Sequence, residues 1–467
     1  MLSKIQKQLS DKKAYIINDK KITYKELWSV ANEKATLLAR QGNSPVIIYG
    51  HKDINMIISI LACLIAKRAY IPIEEGTPIF RIEKIINSTL STLIIKNEDI
   101  EIKSIESCTL DELSKFKNKH EKISDNEIAY IIFTSGSTGE PKGVPISRDN
   151  LDNFINWISA LKPLSDYKDV KVLNQASFSF DLSVADIFYS LCNGHTLVGL
   201  DKMSQENYND IFKVIKKNKI NVAVMTPTFI KLCLLNSEFN YKNYPFLKCI
   251  YFCGEQLDVK TVKKIFTAFP EIKIINAYGP TEATSAISAS LITKGMLENE
   301  ILPVGDMENL ASRVIIEDDE IVIKGKSVFG GYIGENKGGH FKENGINCYS
   351  TGDIGYIKDN RLYCKGRKDN QVKYKGYRIE LNDIEMNMQK IEGIREAAVV
   401  AKADNEGIVK MIKAYVVLEE NFTEDYVKAE LKHLIPAYMI PKVIKKIDKM
   451  PINKNGKIDR RLLSKLW

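Results

Sequence analysis

The chain has 467 residues, a length that allows several domains. Its composition, 44% hydrophobic and 27% charged residues, is typical of a globular protein. Its formal net charge is +8, but lysine and glutamate are mixed almost everywhere and no RNA-binding motif accompanies them. We therefore expect no nucleic-acid partner. The longest apolar stretch, residues 54–66, contains Asn55 and Ser59 and is too short to span a bilayer, so no membrane insertion is expected.

The cysteines and the N-terminus indicate a cytoplasmic protein. The first residues lack the hydrophobic core of a signal peptide. The eight cysteines contain no C-x-x-C pair, and several lie in apolar runs, as reduced core thiols do. The five histidines are isolated in the sequence, so a transition-metal site is not expected either.

A strand followed by a glycine-rich loop is the most informative local pattern. Residues 128–133 are apolar, β-branched and aromatic, which predicts a buried strand. Residues 134–143, Thr-Ser-Gly-Ser-Thr-Gly-Glu-Pro-Lys-Gly, follow at once. Glycines let backbone N–H groups approach a ligand, Ser137 and Thr138 can donate hydrogen bonds, and Lys142 supplies a positive charge. The loop therefore suits a polyphosphate. Proline before the lysine excludes a Walker A loop. The alternative interpretation is an ordinary turn.

Strand-like and helix-like runs then alternate, the pattern of a layered α/β protein. A helix is predicted over residues 207–217, where apolar residues recur at helical spacing. Strands are predicted at residues 170–173, 222–225, 247–252 and 272–275. Residues 111–126 are polar and charged and are expected on the surface.

The predicted helices and strands become shorter after residues 366–369. The sequence predicts helices at residues 383–390 and 424–434, with Thr423 as an N-terminal cap, and strands at residues 397–401 and 410–418. The pair Asp369-Asn370 favours a turn. We therefore predict an N-terminal domain over residues 1–368 and a compact C-terminal domain over residues 369–467.

Five further motifs follow the phosphate loop in a fixed order. They are Asn-Ala-Tyr-Gly-Pro-Thr-Glu at 276–282, Tyr-Ser-Thr-Gly-Asp at 349–353, Gly-Arg-Lys-Asp-Asn-Gln-Val-Lys at 366–373, Gly-Tyr-Arg-Ile-Glu at 376–380, and Pro-Ile-Asn-Lys-Asn-Gly-Lys-Ile-Asp-Arg at 451–460. Each alone could be a turn. Together they resemble the adenylate-forming enzymes, the superfamily of acyl-CoA ligases, luciferases and peptide-synthetase adenylation domains.

The resemblance covers about residues 22–461 and implies a fold, a cofactor and a reaction. The implied fold is mixed α/β, with a large N-terminal domain of packed sheets and helices and a small mobile C-terminal α+β domain. ATP would bind between the two domains with Mg²⁺. Activating a carboxylate with ATP brings one anion against another, so the site must neutralise charge and hold the reactants in line.

The resemblance also implies a role for each motif residue. Ser137, Thr138 and Lys142 would bind the β- and γ-phosphates, and Thr134 would also lie in the ATP site. Thr281 would contact the α-phosphate, and Glu282 would bind the Mg²⁺. Tyr278 would stack on adenine, Asn276 would meet its amino edge, and Asp353 and Arg367 would bind the ribose. Lys457 would be the catalytic lysine, between the substrate carboxylate and the ribose or α-phosphate oxygens.

Asp181 indicates the substrate class. It follows an aromatic run, and a carboxylate at the edge of an apolar pocket needs a cationic partner. In peptide-synthetase adenylation domains the matching aspartate holds the α-ammonium group of an amino acid, and fatty acyl and aryl ligases generally lack it. We therefore expect an amino acid substrate; the alternative is an aspartate that lies at the surface or caps a helix.

A closer resemblance is to the standalone ligases that load D-alanine onto a carrier protein for teichoic acids. Residues 174–176, 178–184, 252–255 and 278–284 are close to their pattern. Cys253 would lie against the α-carbon substituent, where those ligases favour the D form. Four other substrate-pocket residues depart from the pattern: Ala185, Tyr251, Ala277 and Ser285 stand where those ligases tend to carry Met, Met or Phe, Thr and Val. The amino acid therefore stays open, with D-alanine leading.

Three functions remain open from the sequence. The first is an ATP-dependent ligase that transfers an amino acid to the phosphopantetheine thiol of a carrier protein, in cell-wall D-alanylation or in nonribosomal peptide synthesis. The second is a CoA ligase for a small carboxylic acid, and the third is a non-catalytic nucleotide-binding module. We expect a monomer whose C-terminal domain rotates about Asp369 between the two half-reactions.

Overall fold

The computed structural model describes residues 1–115, 127–136, 139–334, 338–369, 371–404, 408–452 and 458–466. The chain forms two compact units. The larger unit consists of residues 1–75, 89–132 and 144–366, and the smaller unit of residues 76–88, 133–143 and 367–467. The smaller unit therefore includes two segments from early in the chain, one of which is the predicted phosphate loop. The domain boundary at residues 368/369 remains a prediction.

The helices of the larger unit mostly carry apolar faces toward its sheets. Two begin with capping boxes: at Thr23, whose hydroxyl accepts from the Glu26 backbone N–H, and at Ser147. The α-helices of the larger unit in the described part of the chain are α1 (Leu2–Gln6), α2 (Tyr24–Ala39), α3 (Ile54–Ile65), α5 (Arg148–Ala160), α6 (Leu182–Cys192), α7 (Lys202–Glu206), α8 (Tyr208–Asn218), α9 (Pro227–Cys233) and α10 (Val259–Ala268).

The largest sheet has eight strands in the order β14-β13-β12-β11-β9-β10-β1-β2. Its centre is parallel, and the outer pairs β13–β14 and β1–β2 are antiparallel. The strands are β1 (Lys13–Ile17), β2 (Lys20–Thr23), β9 (Lys171–Asn174), β10 (Thr196–Gly199), β11 (Val222–Met225), β12 (Cys249–Phe252), β13 (Lys273–Tyr278) and β14 (Ser288–Ile292). Central strands such as β11 and β12 are buried throughout, as expected for a sheet covered on both faces.

Two further sheets complete this part of the fold. A six-stranded sheet has the order β6-β5-β3-β4-β7-β8, from β3 (Val46–Tyr49), β4 (Tyr70–Ile73), β5 (Leu93–Lys96), β6 (Glu106–Cys108), β7 (Ile128–Thr134) and β8 (Lys142–Ser147). An antiparallel sheet has the order β15-β20-β19-β17-β16, with β18 beside β19. Its strands are β15 (Gly305–Asp306), β16 (Arg313–Glu317), β17 (Glu320–Lys324), β18 (His340–Glu343), β19 (Ile346–Lys358) and β20 (Arg361–Arg367).

The smaller unit has its own core around a three-stranded sheet, β23-β24-β25, and a hairpin, β21–β22. The hairpin turns at Lys375 and Gly376, both with positive φ, as a tight two-residue hairpin turn requires. Its elements are α4 (Ile79–Thr89, whose last residue belongs to the larger unit), β21 (Gln371–Tyr374), β22 (Tyr377–Glu380), α11 (Leu381–Met388), β23 (Ile394–Ala403), β24 (Val409–Leu418), α12 (Glu424–Leu431), β25 (Val443–Lys446) and α13 (Arg460–Lys465).

Buried polar contacts explain why the early segments belong to the smaller unit. Arg81 on α4 and Asp383 on α11 form an ion pair of 3.1 Å, with side chains 7% and 0% exposed. The Asn387 side-chain amide donates to the Gly139 carbonyl at 3.3 Å. A Cβ atom on Gly139 would lie 2.9 Å from Cβ of Met386, and the residue has φ +73°, so this position favours glycine.

The predicted fold class is confirmed, since the chain is mixed α/β with a larger sheet-rich N-terminal part and a smaller C-terminal part. The predicted strands correspond to β7, β9, β11, β12, β13, β23 and β24, and the predicted helices to α8, α11 and α12. Thr423 caps α12 as predicted, because its side chain accepts from the Tyr426 backbone N–H. Of the predicted surface segment 111–126, residues 116–126 lie outside the described residues.

Among the described residues, none of the helices combines the length and the hydropathy that crossing a membrane requires.

Candidate functional site

Two residues with predicted adenine and ribose roles are hydrogen-bonded to each other in the larger unit. Tyr278 is the last residue of β13, and its hydroxyl donates to Oδ2 of Asp353 on β19 at 2.6 Å. Both side chains are buried. Burial, helped by the negative charge of Asp353, raises the pKa of Tyr278 well above its ordinary value, so the hydroxyl remains a donor. A carboxylate accepts several hydrogen bonds, which leaves Asp353 capacity for ribose hydroxyls.

Asn276 lies two residues earlier on β13. Its side-chain amide nitrogen donates to the Pro303 carbonyl at 2.9 Å, and the residue is buried. This bond fixes the amide orientation and leaves the carbonyl oxygen as the acceptor. That orientation suits an amino group such as the one on adenine.

Asp181 lies beside Thr281, the residue predicted to contact the α-phosphate. The Thr281 hydroxyl donates to Oδ2 of Asp181 at 2.7 Å, across 100 residues of sequence. Asp181 occupies the N-cap position of α6, yet its side chain makes no capping hydrogen bond. The helix-capping interpretation of Asp181 is therefore wrong, because its side chain makes no capping hydrogen bond and its carboxylate accepts from Thr281 instead.

Glu282 is buried and its carboxylate accepts a hydrogen bond from the Tyr332 hydroxyl at 2.7 Å. The Tyr332 and Tyr349 hydroxyls are 3.3 Å apart. A single buried carboxylate beside hydroxyls fits Mg²⁺, which takes few protein ligands and is bound largely through substrate phosphates. The residues present are therefore compatible with the predicted metal.

Five further residues form the predicted substrate-pocket wall: Cys253, Ala185, Tyr251, Ala277 and Ser285. All five are buried. The Cys253 thiol donates to the Ser285 carbonyl at 3.7 Å. Ser285 and its neighbour Thr284 both have positive φ, at 68° and 60°, an unfavourable conformation for non-glycine residues that occurs preferentially at ligand-binding sites.

The described part of the phosphate loop is fixed within the smaller unit. The Ser135 hydroxyl donates to the Arg378 carbonyl and accepts from the Glu380 backbone N–H, both at 2.9 Å. Gly136 cannot carry a side chain, since a Cβ atom there would lie 2.1 Å from the Glu140 carbonyl oxygen. Thr134 ends β7 and Lys142 begins β8, and both are partly exposed. Ser137 and Thr138 lie outside the described residues.

Lys142 acts electrostatically on Glu380 within this unit. Burial, together with the charge of Asp369, raises the pKa of Glu380, while the positive charges of Arg378 and Lys142 oppose that rise. The lysine that is predicted to meet the phosphates therefore lies near the end of β22. Lys457, the predicted catalytic lysine, lies outside the described residues.

Arg367 and Asp369, predicted as a ribose ligand and a hinge, form a bidentate ion pair. Nε and Nη2 of Arg367 donate to Oδ1 and Oδ2 of Asp369, each at 2.7 Å. The Gln371 backbone N–H donates to Oδ1 of Asp369 at 3.2 Å. Asn370, the second residue of the predicted turn, lies outside the described residues. Burial alone would raise the pKa of Asp369, but the hydrogen bonds and charge of Arg367 lower it overall.

Sequence reasoning missed Tyr332, Ser135 and Tyr130. The first two make the contacts described above, and the negative charge of Asp181 adds to burial in raising the pKa of Tyr130. Tyr332 follows the pair Gly330-Gly331, and Ser135 lies inside the glycine-rich loop, so composition offered a signal for both. Tyr130 lies in an apolar strand and offered none.

Comparisons with known proteins show which family the chain resembles. The model of the AMP-binding enzyme family matches residues 2–333, and that of the AMP-binding enzyme C-terminal domain matches residues 383–457. A D-alanine–D-alanyl carrier protein ligase of Listeria innocua is 37% identical over 480 aligned positions, which cover 95% of this chain and 94% of the relative. A ligase of the same name from Bacillus velezensis is 37% identical over 474 positions, with the same coverage.

Among solved structures, the adenylation domain AlmE of Vibrio cholerae, in complex with glycyl-adenosine-5′-phosphate, has a similar fold. It superposes with a TM-score of 0.83 at 24% identity, covering 100% of this chain and 96% of that one.

Proposed function

The chain belongs to the AMP-binding enzyme family, and on that premise we propose that it activates a small amino acid with ATP and transfers it to the phosphopantetheine thiol of a carrier protein. D-Alanine is the leading substrate, because the relatives that match along 95% of the chain are D-alanine–D-alanyl carrier protein ligases. The observation that carries the proposal is the contact of 2.7 Å between Thr281 and Asp181. It joins the predicted α-phosphate ligand to the predicted ammonium ligand.

In the first half-reaction the substrate carboxylate attacks the α-phosphate of ATP, forming the aminoacyl-adenylate and releasing pyrophosphate. Asp181 holds the ammonium group, and Thr281 lies where the carboxylate and α-phosphate meet. Lys457 neutralises the two anions as they approach each other. Tyr278, Asn276, Asp353 and Arg367 hold the nucleoside, and Thr134, Ser137, Thr138 and Lys142 its phosphates. Mg²⁺, held by Glu282, would supply further positive charge to the phosphates.

In the second half-reaction the thiol of a carrier protein attacks the acyl carbon and releases AMP. A set of exposed lysines offers a complementary surface for an acidic partner: Lys442, Lys445, Lys446 and Lys449. We propose a monomeric enzyme of the cytoplasm, and leave open whether the carrier serves the cell wall or a peptide product.

ATP–pyrophosphate exchange with a panel of D- and L-amino acids and simple carboxylic acids tests this function. Exchange with one or more small amino acids, D-alanine among them, is expected. Exchange with acids that lack an amine, and none with amino acids, would favour the CoA ligase instead. Absence of exchange with every compound, together with measurable ATP binding, would favour the nucleotide-binding module.

The Cys253→Ala substitution tests the choice between enantiomers. We expect the ratio of kcat/KM for D-alanine to that for L-alanine to fall several-fold, because the thiol would no longer fill the space beside the α-carbon. Shape differences of one methyl group in a pocket are worth about 10-fold or more. Cys233, the last residue of α9, is buried in a different core cluster from Cys253 and gives the matched control Cys233→Ala. If the D-alanine to L-alanine ratio is the same in Cys253→Ala and Cys233→Ala, Cys253 is only a buried core thiol.

The Asp369→Pro substitution tests the proposed hinge. Proline fixes φ and removes a backbone donor, so it should hinder the rotation that separates the two half-reactions. We expect pyrophosphate exchange to stay within about threefold of wild type and thioester transfer to the carrier protein to slow by about tenfold or more. Single-turnover assays of the two half-reactions measure both effects.

The ion pair between Arg367 and Asp369 calls for a second variant, because proline removes it as well. Asp369→Asn removes the charge but keeps a normal backbone, so it should leave both half-reactions near wild type. Equal loss in the two half-reactions of Asp369→Pro, or no loss in either, would refute the hinge. A slowing of thioester transfer in Asp369→Asn equal to that in Asp369→Pro would also refute the hinge.

A further inference from the structure

Two buried hydroxyl groups of the substrate-pocket wall lack a hydrogen-bond partner among the described residues. They are Oη of Tyr251 and Oγ of Ser285, on side chains that are 0% and 2% exposed. Buried hydroxyls nearly always find a partner, and leaving one unpaired costs about 1–3 kcal/mol. A pair of such groups beside a predicted ligand site therefore indicates polar partners that a ligand supplies.

Tyr251 lies on the same side of the large sheet as Cys253. Along β12 and the residue after it, Cys249, Tyr251 and Cys253 belong to one core cluster, whereas Ile250 and Phe252 belong to another. Tyr251, Cys253, Ala185 and Ala277 all belong to the same buried cluster. Ser285 joins them through its carbonyl, which accepts from the Cys253 thiol.

The charge of Asp181 also reaches Tyr251. Burial, and after it the electrostatic effects of Cys253 and of the Asp181 carboxylate, raise the pKa of Tyr251 well above its ordinary value. The phenol therefore remains protonated and can donate. The small side chains of Ala185 and Ala277 add no polar atoms to the wall, so they cannot satisfy either hydroxyl.

We propose that the pocket also accepts a small amino acid with a hydroxyl on its β-carbon, serine in the simplest case, and pairs that hydroxyl with Ser285 and Tyr251. This inference rests on the proposed function, since it extends the range of side chains activated at the same site. An apolar pocket of alanine size disfavours an added hydroxyl, and such discrimination reaches roughly 10²-fold in an apolar site. With partners present, we expect the ratio of kcat/KM for serine to that for alanine to lie near one or above.

The experiment measures this serine-to-alanine ratio by ATP–pyrophosphate exchange, within one enantiomer, for wild type, Ser285→Ala and Tyr251→Phe. Each substitution removes one hydroxyl and should lower the ratio by about tenfold, mainly through loss of serine activation. Thermal unfolding is recorded for each variant. Removing an unpaired buried hydroxyl should leave the melting temperature of the unliganded enzyme unchanged or slightly higher, which shows that the variants fold.

Tyr15→Phe is the matched control. Oη of Tyr15 is also buried without a partner among the described residues, but Tyr15 lies on β1, and the carboxylates that act on its pKa are Asp53, Asp186 and Asp201. This substitution should leave the ratio unchanged. A fall in the ratio in Ser285→Ala or Tyr251→Phe relative to Tyr15→Phe supports the proposal.

Two results would overturn it, and they are distinguishable. If alanine is activated but the ratio is the same in all three variants, the hydroxyls do not select the side chain and only this inference fails. If folded wild type supports exchange with no amino acid, the proposed function itself fails, and the pocket assignment fails with it.

Discussion

Lys457→Ala is expected to lower the rate of adenylate formation by about 10²–10³ or more, the scale for loss of one preorganised electrostatic contact. The substrate carboxylate and the α-phosphate are both anions, and the lysine would neutralise them as they approach. The affinity for ATP should change by less than about threefold, because the nucleoside is held mainly by Tyr278, Asn276 and Asp353. Pyrophosphate exchange measures the first effect and isothermal titration with ATP the second.

Lys454→Ala provides the control, since Lys454 lies three residues before Lys457 in the same basic segment. If Lys457 were only another solvated lysine, the two variants would behave alike. Near-normal exchange in Lys457→Ala would refute its catalytic role. A large loss of ATP affinity in the same variant would instead make it a nucleotide-binding residue.

Local sequence predicted the existence of the elements well and their ends less well. β13 was predicted to end at residue 275 but continues to Tyr278, because its last residues pair with β14 through Tyr278 and Ser288. β23 extends beyond the predicted 397–401 in the same way, by pairing along β24. α12 ends at Leu431, short of the predicted 434, a few residues before Pro436. The strand ends depend on pairing with residues that are distant in the sequence, so a short stretch of sequence cannot predict them.

The site shows the same division. Motifs predicted which residues carry the chemistry, and the structure pairs Tyr278 with Asp353 and Thr281 with Asp181, across 75 and 100 residues. No local pattern could have predicted that Tyr332 binds Glu282 or that the Ser135 hydroxyl bridges two backbone groups of β22. These contacts depend on how distant strands pack, and physical chemistry assigns them only once the fold is known.

Asp181→Ala should lower kcat/KM for the preferred amino acid by on the order of 10²–10³, while ATP affinity changes by less than about threefold. The ammonium group would lose its charged partner in a half-buried pocket, and loss of one member of such a pair costs about 2–5 kcal/mol. Pyrophosphate exchange with D-alanine measures the loss. Propionate, which is alanine without its ammonium group, should be a poor substrate for both proteins, and the preference for D-alanine over propionate should collapse in the variant.

Asp53→Ala separates this electrostatic role from a structural one. Asp53 is an N-cap residue whose side chain accepts from the Asn55 backbone N–H at 2.7 Å, whereas Asp181 makes no capping bond. Removing the Asp53 cap should destabilise the protein by about 1 kcal/mol and leave amino acid activation intact. Asp181→Ala should do the reverse, with lost activation and nearly unchanged stability.

The hydrogen bond from Thr281 makes the second variant Asp181→Asn equally informative. An asparagine oxygen can still accept from the Thr281 hydroxyl, so the local geometry is retained while the negative charge is lost. If the charge binds the ammonium group, Asp181→Asn should lose nearly as much activity as Asp181→Ala. Near-normal activity in Asp181→Asn would mean that Asp181 acts by positioning Thr281, and an unchanged preference for D-alanine over propionate in both variants would place the ammonium site elsewhere.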